Sequence, residues 1–116
     1  MSRPHDAVDP ATVIRYTEKE FENQVVELAK DMGWLVYHVR DSRYSDWRSD
    51  KGFPDWVFAK EGHSVIFAEL KGTKGRATKA QIGWIETLHA ATARAGIFWP
   101  EDWGTLSEWL IEEVEA

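Results

Sequence analysis

Asp55, Glu69 and Lys71 are the residues of this 116-residue chain whose types and spacing could do chemistry together. Pro54-Asp55 stands ahead of the triplet Glu69-Leu70-Lys71. Ser64 to Leu70 is apolar and rich in β-branched residues, and it is bounded by Gly62-His63 and Gly72. That pattern predicts a largely buried strand. A buried strand has little reason to end on Glu and Lys unless they are paired or bind something. Alternation puts Glu69 and Lys71 on one face of it, with Ile66, Ala68 and Leu70 on the other. Asp55 opens a second short strand, Trp56 to Ala59, joined to the first by a tight hairpin through Lys60-Glu61-Gly62-His63. Two carboxylates and one ammonium then converge at one edge of a hairpin, a place for a divalent metal and a water molecule. The bland alternative is a structural ion pair at a sheet end.

The flanking segments supply the scaffold. Met1 to Arg15, with Pro4 and Pro10, reads as a flexible leader, and residues 16–116 read as one domain. Thr17 and Glu20 have the spacing of a capping box, and Tyr16 can close onto Phe21 as a hydrophobic staple. Phe21, Val25, Leu28, Ala29 and Met32 form an apolar stripe at helical spacing, which Gly33 ends. Trp34 to Val39 reads as a strand, and Arg40 to Phe53 as a long polar loop. A second helix is expected from Thr78 to about Ala95, ended by Gly96, with Ile82, Ile85, Leu88 and Ala91 toward the sheet. Ile97 to Trp99 makes a short strand. A last helix runs from about Trp103 to Val114, its buried stripe Leu106, Trp109, Leu110 and Val114. The order α-β-β-β-α-β-α predicts an α/β fold with a mixed central sheet flanked by helices.

Composition bounds the rest. Apolar content of 43% with 29% charged residues is ordinary for a globular domain. No apolar run reaches the ~18 residues of a membrane span, and the first residues lack the apolar core of a signal peptide. Zero cysteines excludes disulfides and thiolate metal sites and suits a reducing cytoplasm.

Gly33-Trp34, Val36-Tyr37-His38, Asp41-Ser42-Arg43, Lys51-Gly52-Phe53-Pro54-Asp55 and Phe67-Ala68-Glu69-Leu70-Lys71 together resemble the VRR-NUC branch of the Pro-Asp/(Asp or Glu)-x-Lys nuclease superfamily. The likeness runs from about Thr17 to Trp103; the Val-Arg-Arg run that names the branch is absent. The resemblance implies a restriction-endonuclease-like core and hydrolysis of DNA phosphodiester bonds. It also implies structure-selective cutting of branched DNA such as Holliday junctions, and a homodimer. The encoding element would be a phage or mobile element acting in the cytoplasm of a bacterial host. The same core also serves other nuclease chemistries. A second reading is a catalytically silent nucleic-acid-binding module on this fold, and a third is an acidic adaptor that docks through its last helix.

Under the nuclease reading, Asp55, Glu69 and the Leu70 backbone carbonyl are hard oxygen ligands suited to Mg²⁺ or Mn²⁺, and Lys71 orients the attacking water or stabilises the charged transition state. The resemblance adds Glu22 on the first helix as a ligand and Gln81 as a site residue. Their alternatives are an exposed helix charge and a Thr78-x-x-Gln81 capping box. His38 and Ser42 are further candidates, and a lone histidine is more often a packing residue. Six acids and no Lys or Arg lie in the last sixteen residues, whereas the first hundred hold fourteen of each sign, so the net charge of −6 is a C-terminal property. Lys71, Lys74, Arg76 and Lys79 form a run without an intervening acid, beside the site. It reads as either a solvated face or a phosphate contact. Arg43, Arg48, Lys51 and Trp47 on the long loop are the remaining candidates for DNA contact.

Overall fold

The computed structural model describes residues 15–39, 48–91 and 93–113. In chain order it contains α1 (Glu18–Asp31), β1 (Leu35–His38), β2 (Trp56–Ala59), β3 (Ile66–Leu70), α2 (Lys79–Ala90), β4 (Arg94–Phe98), a 3₁₀ turn (Pro100–Asp102) and α3 (Trp103–Ile111). This is the expected order, built on a mixed sheet. β1 pairs antiparallel with β2 and β2 with β3, while β3 and β4 run parallel, joined by the α2 crossover.

Local sequence chemistry sets the first helix. Thr17 Oγ1 accepts from the Glu20 N–H at 3.0 Å, and Glu20 Oε1 accepts from the Thr17 N–H at 2.9 Å. This reciprocal pair satisfies two otherwise orphaned donors and holds the Glu20 carboxyl below its ordinary range. Gly33 ends the helix at φ +88°, where a side chain would be strained.

Phe21, Val25 and Ala29 of α1 are buried against Trp56, Phe58, Ile66, Ala68, Leu70 and Phe98 of the sheet. α3 closes the same layer with Leu106 and Leu110, both fully buried. The Trp34 indole N–H donates to the Leu110 carbonyl at 2.9 Å, tying the start of β1 to the last helix. α2 packs on the opposite face, against β4 and β3.

The second helix departs from expectation. It stops at Ala90 rather than near Ala95, and Gly96 lies inside β4. The alanine-rich segment has good helix propensity, but register pairing with β3 from Ile66↔Arg94 to Leu70↔Phe98 claims its backbone. Gly96 serves packing instead of helix termination, because a Cβ there would approach the Phe98 ring to 2.6 Å. Ile82 is exposed and so is Ala91, so neither faces the sheet as expected; Ile85 and Leu88 are half-buried. Val114, expected in the last buried stripe, lies outside the described residues, and α3 ends at Ile111.

Candidate metal and phosphodiester site

The ends of β2 and β3 bring the three candidate groups together. Asp55 stands directly before β2, with its carbonyl accepting from the Val39 N–H at 2.7 Å. Its own N–H donates to Glu69 Oε1 at 3.2 Å. The other Glu69 oxygen faces the Lys71 ammonium at 3.5 Å. Lys71 continues β3 and donates its N–H to the Phe98 carbonyl at 2.9 Å, so its backbone is fixed by the parallel pair. Leu70 is the last residue of β3, with its side chain in the core. Glu69 is 2% exposed and Lys71 8%, which makes them the buried charged residues of the described chain. Burial and the neighbouring Asp55 charge push the Glu69 carboxyl up to about 7, against the pull of Lys71 and of the Asp55 N–H.

A turn after β3 fixes the lysine stem. The Gly75 N–H donates to the Gly72 carbonyl at 2.9 Å, and a Cβ on Gly75 would come within 3.0 Å of Lys71 Cβ. The Trp99 indole N–H pins the same turn by donating to the Gly75 carbonyl at 2.8 Å. Gly72 lies against the backbone at the start of α1, where a Cβ would be 2.6 Å from the Glu18 nitrogen. Close backbone contact therefore docks the first helix onto the end of β3.

That docking brings α1 acids to the site. Glu22, His38 and Asp55 each offer a ligand atom, and these atoms lie within 4.8 Å of one another. Trp56 organises the group: its indole N–H donates to Glu22 Oε2 at 3.1 Å, while its ring stacks on His38 at 4.1 Å and 8°. Glu18, one turn before Glu22, feels the same charges. Its carboxyl is raised by partial desolvation, then by Glu22 and Asp55, with Lys71 and His38 opposing. Sequence reasoning did not single out Glu18. The i, i+4 spacing to Glu22 was the available signal, since such residues share a helix face. Oxygen donors predominate in this group, with one imidazole, and the set fits a divalent cation.

The remaining candidates make other contacts or lie outside the described residues. Gln81 Oε1 accepts from the Thr78 N–H at 2.9 Å and the Gln81 N–H donates to Thr78 Oγ1 at 3.1 Å, so its side chain folds back on the start of α2. Lys74, Arg76 and Lys79 are exposed along the segment from the site to α2, as are Arg48 and Lys51 before β2. Arg43, Trp47 and Ser42 lie outside the described residues. Arg15 and Lys74 both line a cleft of about 410 Å³ that reaches Glu18 and includes Tyr16, Gly72 and Thr73. Arg15 was not singled out from sequence, since nothing local links it to Lys74. The link is tertiary: the Tyr16 N–H donates to Thr73 Oγ1 at 2.8 Å, and the Thr73 N–H to the Tyr16 carbonyl at 2.9 Å.

No protein-family model matches this chain, and no curated protein matches it. Among solved structures it is similar to one described as a "VRR_NUC domain protein", with 19% identity and a TM-score of 0.62 over 88% of this chain and 95% of that one. The two chains share a fold. The α/β order and mixed sheet expected from sequence are present, on a fold shared with that structure. No helix among the described residues is long and apolar enough to cross a membrane.

Proposed function

We propose that this protein is a divalent-metal-dependent nuclease that hydrolyses DNA phosphodiester bonds, with residues 16–116 acting as one nuclease domain. The observation that carries this reading is a buried acid–lysine pair, Glu69 and Lys71, set beside Asp55, Glu22 and His38. A structural ion pair would need no further acids at its rim. Here unlike groups from α1, β1, β2 and β3 meet at one end of the sheet, on a fold shared with a VRR_NUC domain protein.

Asp55 and Glu22 would hold the cation, with Glu69, the Leu70 carbonyl and Glu18 at its flanks. Bound Mg²⁺ or Mn²⁺ supplies Lewis-acid activation of water and neutralises phosphate charge. Lys71 is a pure donor whose ammonium is held beside Glu69, so it can orient the attacking water and donate to a phosphate oxygen as negative charge builds. Lys74, Arg76 and Lys79, with Arg48 and Lys51, place positive charge where a DNA backbone would approach. Branched DNA is the proposed substrate, cut by a homodimer because a junction has two strands to sever. Exposed Leu35 and Tyr37 on edge strand β1, with Ile82 of α2 on the same side of the sheet, give a second copy an apolar surface. The host-cell cytoplasm is the proposed place of action.

Purified protein should be given labelled four-way junction, flap, duplex and single-stranded DNA, with and without Mg²⁺ or Mn²⁺. Metal-dependent cleavage, strongest on the branched substrates, is expected. Binding without cleavage on every substrate would instead mark a catalytically silent nucleic-acid-binding module.

A further inference from the structure

We propose that His38 supplies a nitrogen ligand to the metal site, so that the site favours a transition-metal dication such as Mn²⁺ over Mg²⁺. This rests on the metal-dependent reading above and goes beyond it in naming the donor that selects the ion. Glu69 has both carboxylate oxygens engaged within the protein, one by the Asp55 N–H and one by Lys71. The donors gathered within 4.8 Å of one another are those of Glu22, Asp55 and His38. The imidazole is therefore one of three, not a bystander at the rim.

Its placement is built into the sheet. His38 is the last residue of β1 and sits opposite Trp56 in register. The two rings stack at 4.1 Å and 8°, which fixes the plane of the imidazole. The same indole donates to Glu22 Oε2 at 3.1 Å, and Trp56 follows Asp55 directly in the chain. One side chain thus orients two donors and is covalently next to the third. A histidine kept only for packing would be buried, whereas His38 is exposed, with no hydrogen bond to its ring nitrogens among the described residues.

The chemistry of the donor set gives the selectivity. Mg²⁺ prefers oxygen ligands and gives up its waters reluctantly, whereas imidazole suits Zn²⁺, Cu²⁺, Fe²⁺ and Ni²⁺. Mn²⁺ shares the oxygen preference but, as a transition-metal ion, takes an imidazole more readily than Mg²⁺ does. Replacing one oxygen by a nitrogen biases the site toward Mn²⁺, which accepts both.

The test is Mn²⁺ binding to the full chain, followed by electron paramagnetic resonance, with ¹⁴N coupling read by pulsed methods. Mg²⁺ affinity is read by competition against Mn²⁺. The wild type should show coupling from one imidazole nitrogen. His38→Phe keeps a ring to stack on Trp56 but has no nitrogen. It should lose the coupling and weaken Mn²⁺ binding by about tenfold or more, the lower end of what even indirect metal-site changes cost, while Mg²⁺ affinity stays within about twofold. His38→Gln, polar and unstacked, should likewise lose the coupling. Tight Mn²⁺ binding without ¹⁴N coupling, or unchanged Mn²⁺ affinity in His38→Phe, overturns the assignment and leaves the metal-dependent reading standing. Failure of the wild type to bind either ion overturns both.

Discussion

Lys71 and Asp55 carry different parts of the proposed chemistry, and their substitutions should therefore look alike in rate but not in origin. Asp55→Asn removes a ligand charge while keeping the side-chain shape. Lys71→Ala removes the donor and leaves Glu69 buried without its cation. Each should lower single-turnover cleavage by at least about a hundredfold, the scale of one lost transition-state contact, with DNA affinity by fluorescence anisotropy little changed. Cleavage at wild-type rate in both variants would remove these residues from the mechanism. Glu69 gives a second prediction, read without substrate. Its carboxyl sits at about 7 in the folded chain against an ordinary 4.5. Between those values the folded protein keeps a proton that the unfolded chain has released. Stability of the metal-free protein should then fall as pH rises from 4.5 to 7 and level off above, with roughly 3 kcal/mol of the fall coming from Glu69. Glu18 acts with the same sign. Glu69→Gln should flatten most of this fall in denaturant titrations run with chelator, and an unaltered pH profile in that variant would contradict the assignment.

At the scale of elements, the parts legible in the sequence were those with a local physical signature. Thr17 with Glu20, the glycine at position 33 and the alternation through Ile66–Leu70 each fix their structure within a few residues, and each is found as expected. The Ala90–Gly96 segment departs from its local helix propensity because its outcome is decided by β3, distant in sequence. The same holds at the site. Asp55, Glu69 and Lys71 could be grouped through one hairpin, but the joining of His38 and Glu22 through Trp56, and the approach of Glu18, follow from packing between α1 and the sheet. Gly52 shows how loop and helix are coupled. It has φ +97°, and a Cβ there would stand 2.5 Å from the Ala80 carbonyl carbon and 2.7 Å from the Gln81 nitrogen. The loop leading to Pro54-Asp55 thus lies directly on the first turn of α2. Gly52→Ala should cost about 1–3 kcal/mol from backbone strain alone, with the clash adding to it. A denaturation midpoint equal to wild type would show that the loop can move away freely.

Across the whole molecule, charge is unevenly spread along the chain. Of the six acids in the last sixteen residues, Glu101 and Asp102 fall on the 3₁₀ turn, Glu108 on α3, and Glu112 and Glu113 directly after it. One of them, Glu112, pairs with Arg94 at 2.8 Å, and its carbonyl meets His63 Nε2 at 2.9 Å, at the start of β4 and the β2–β3 turn. The acid site lies at the other end of the strands, where β1 and β3 finish and β2 begins, and the exposed bases Lys74, Arg76 and Lys79 follow directly after it. Under the proposed function a polyanion would approach that end, away from Glu112 but near Glu101 and Asp102, which follow the end of β4. A net charge of −6 is then compatible with DNA binding, because local potential steers association more than the total does. The consequence can be measured. Each phosphate neutralised by a lysine or arginine releases counterions and adds about 0.9 to the slope of log affinity against log salt for duplex DNA. Lys74→Ala with Arg76→Ala should therefore weaken binding to every DNA sequence alike and reduce that slope by nearly 2. Binding isotherms of both proteins from low to moderate salt, taken in Ca²⁺ to suppress cleavage, give the two slopes directly. Equal slopes would mean that these bases point to solvent in the complex, and the DNA path would have to be sought along Arg48 and Lys51 instead.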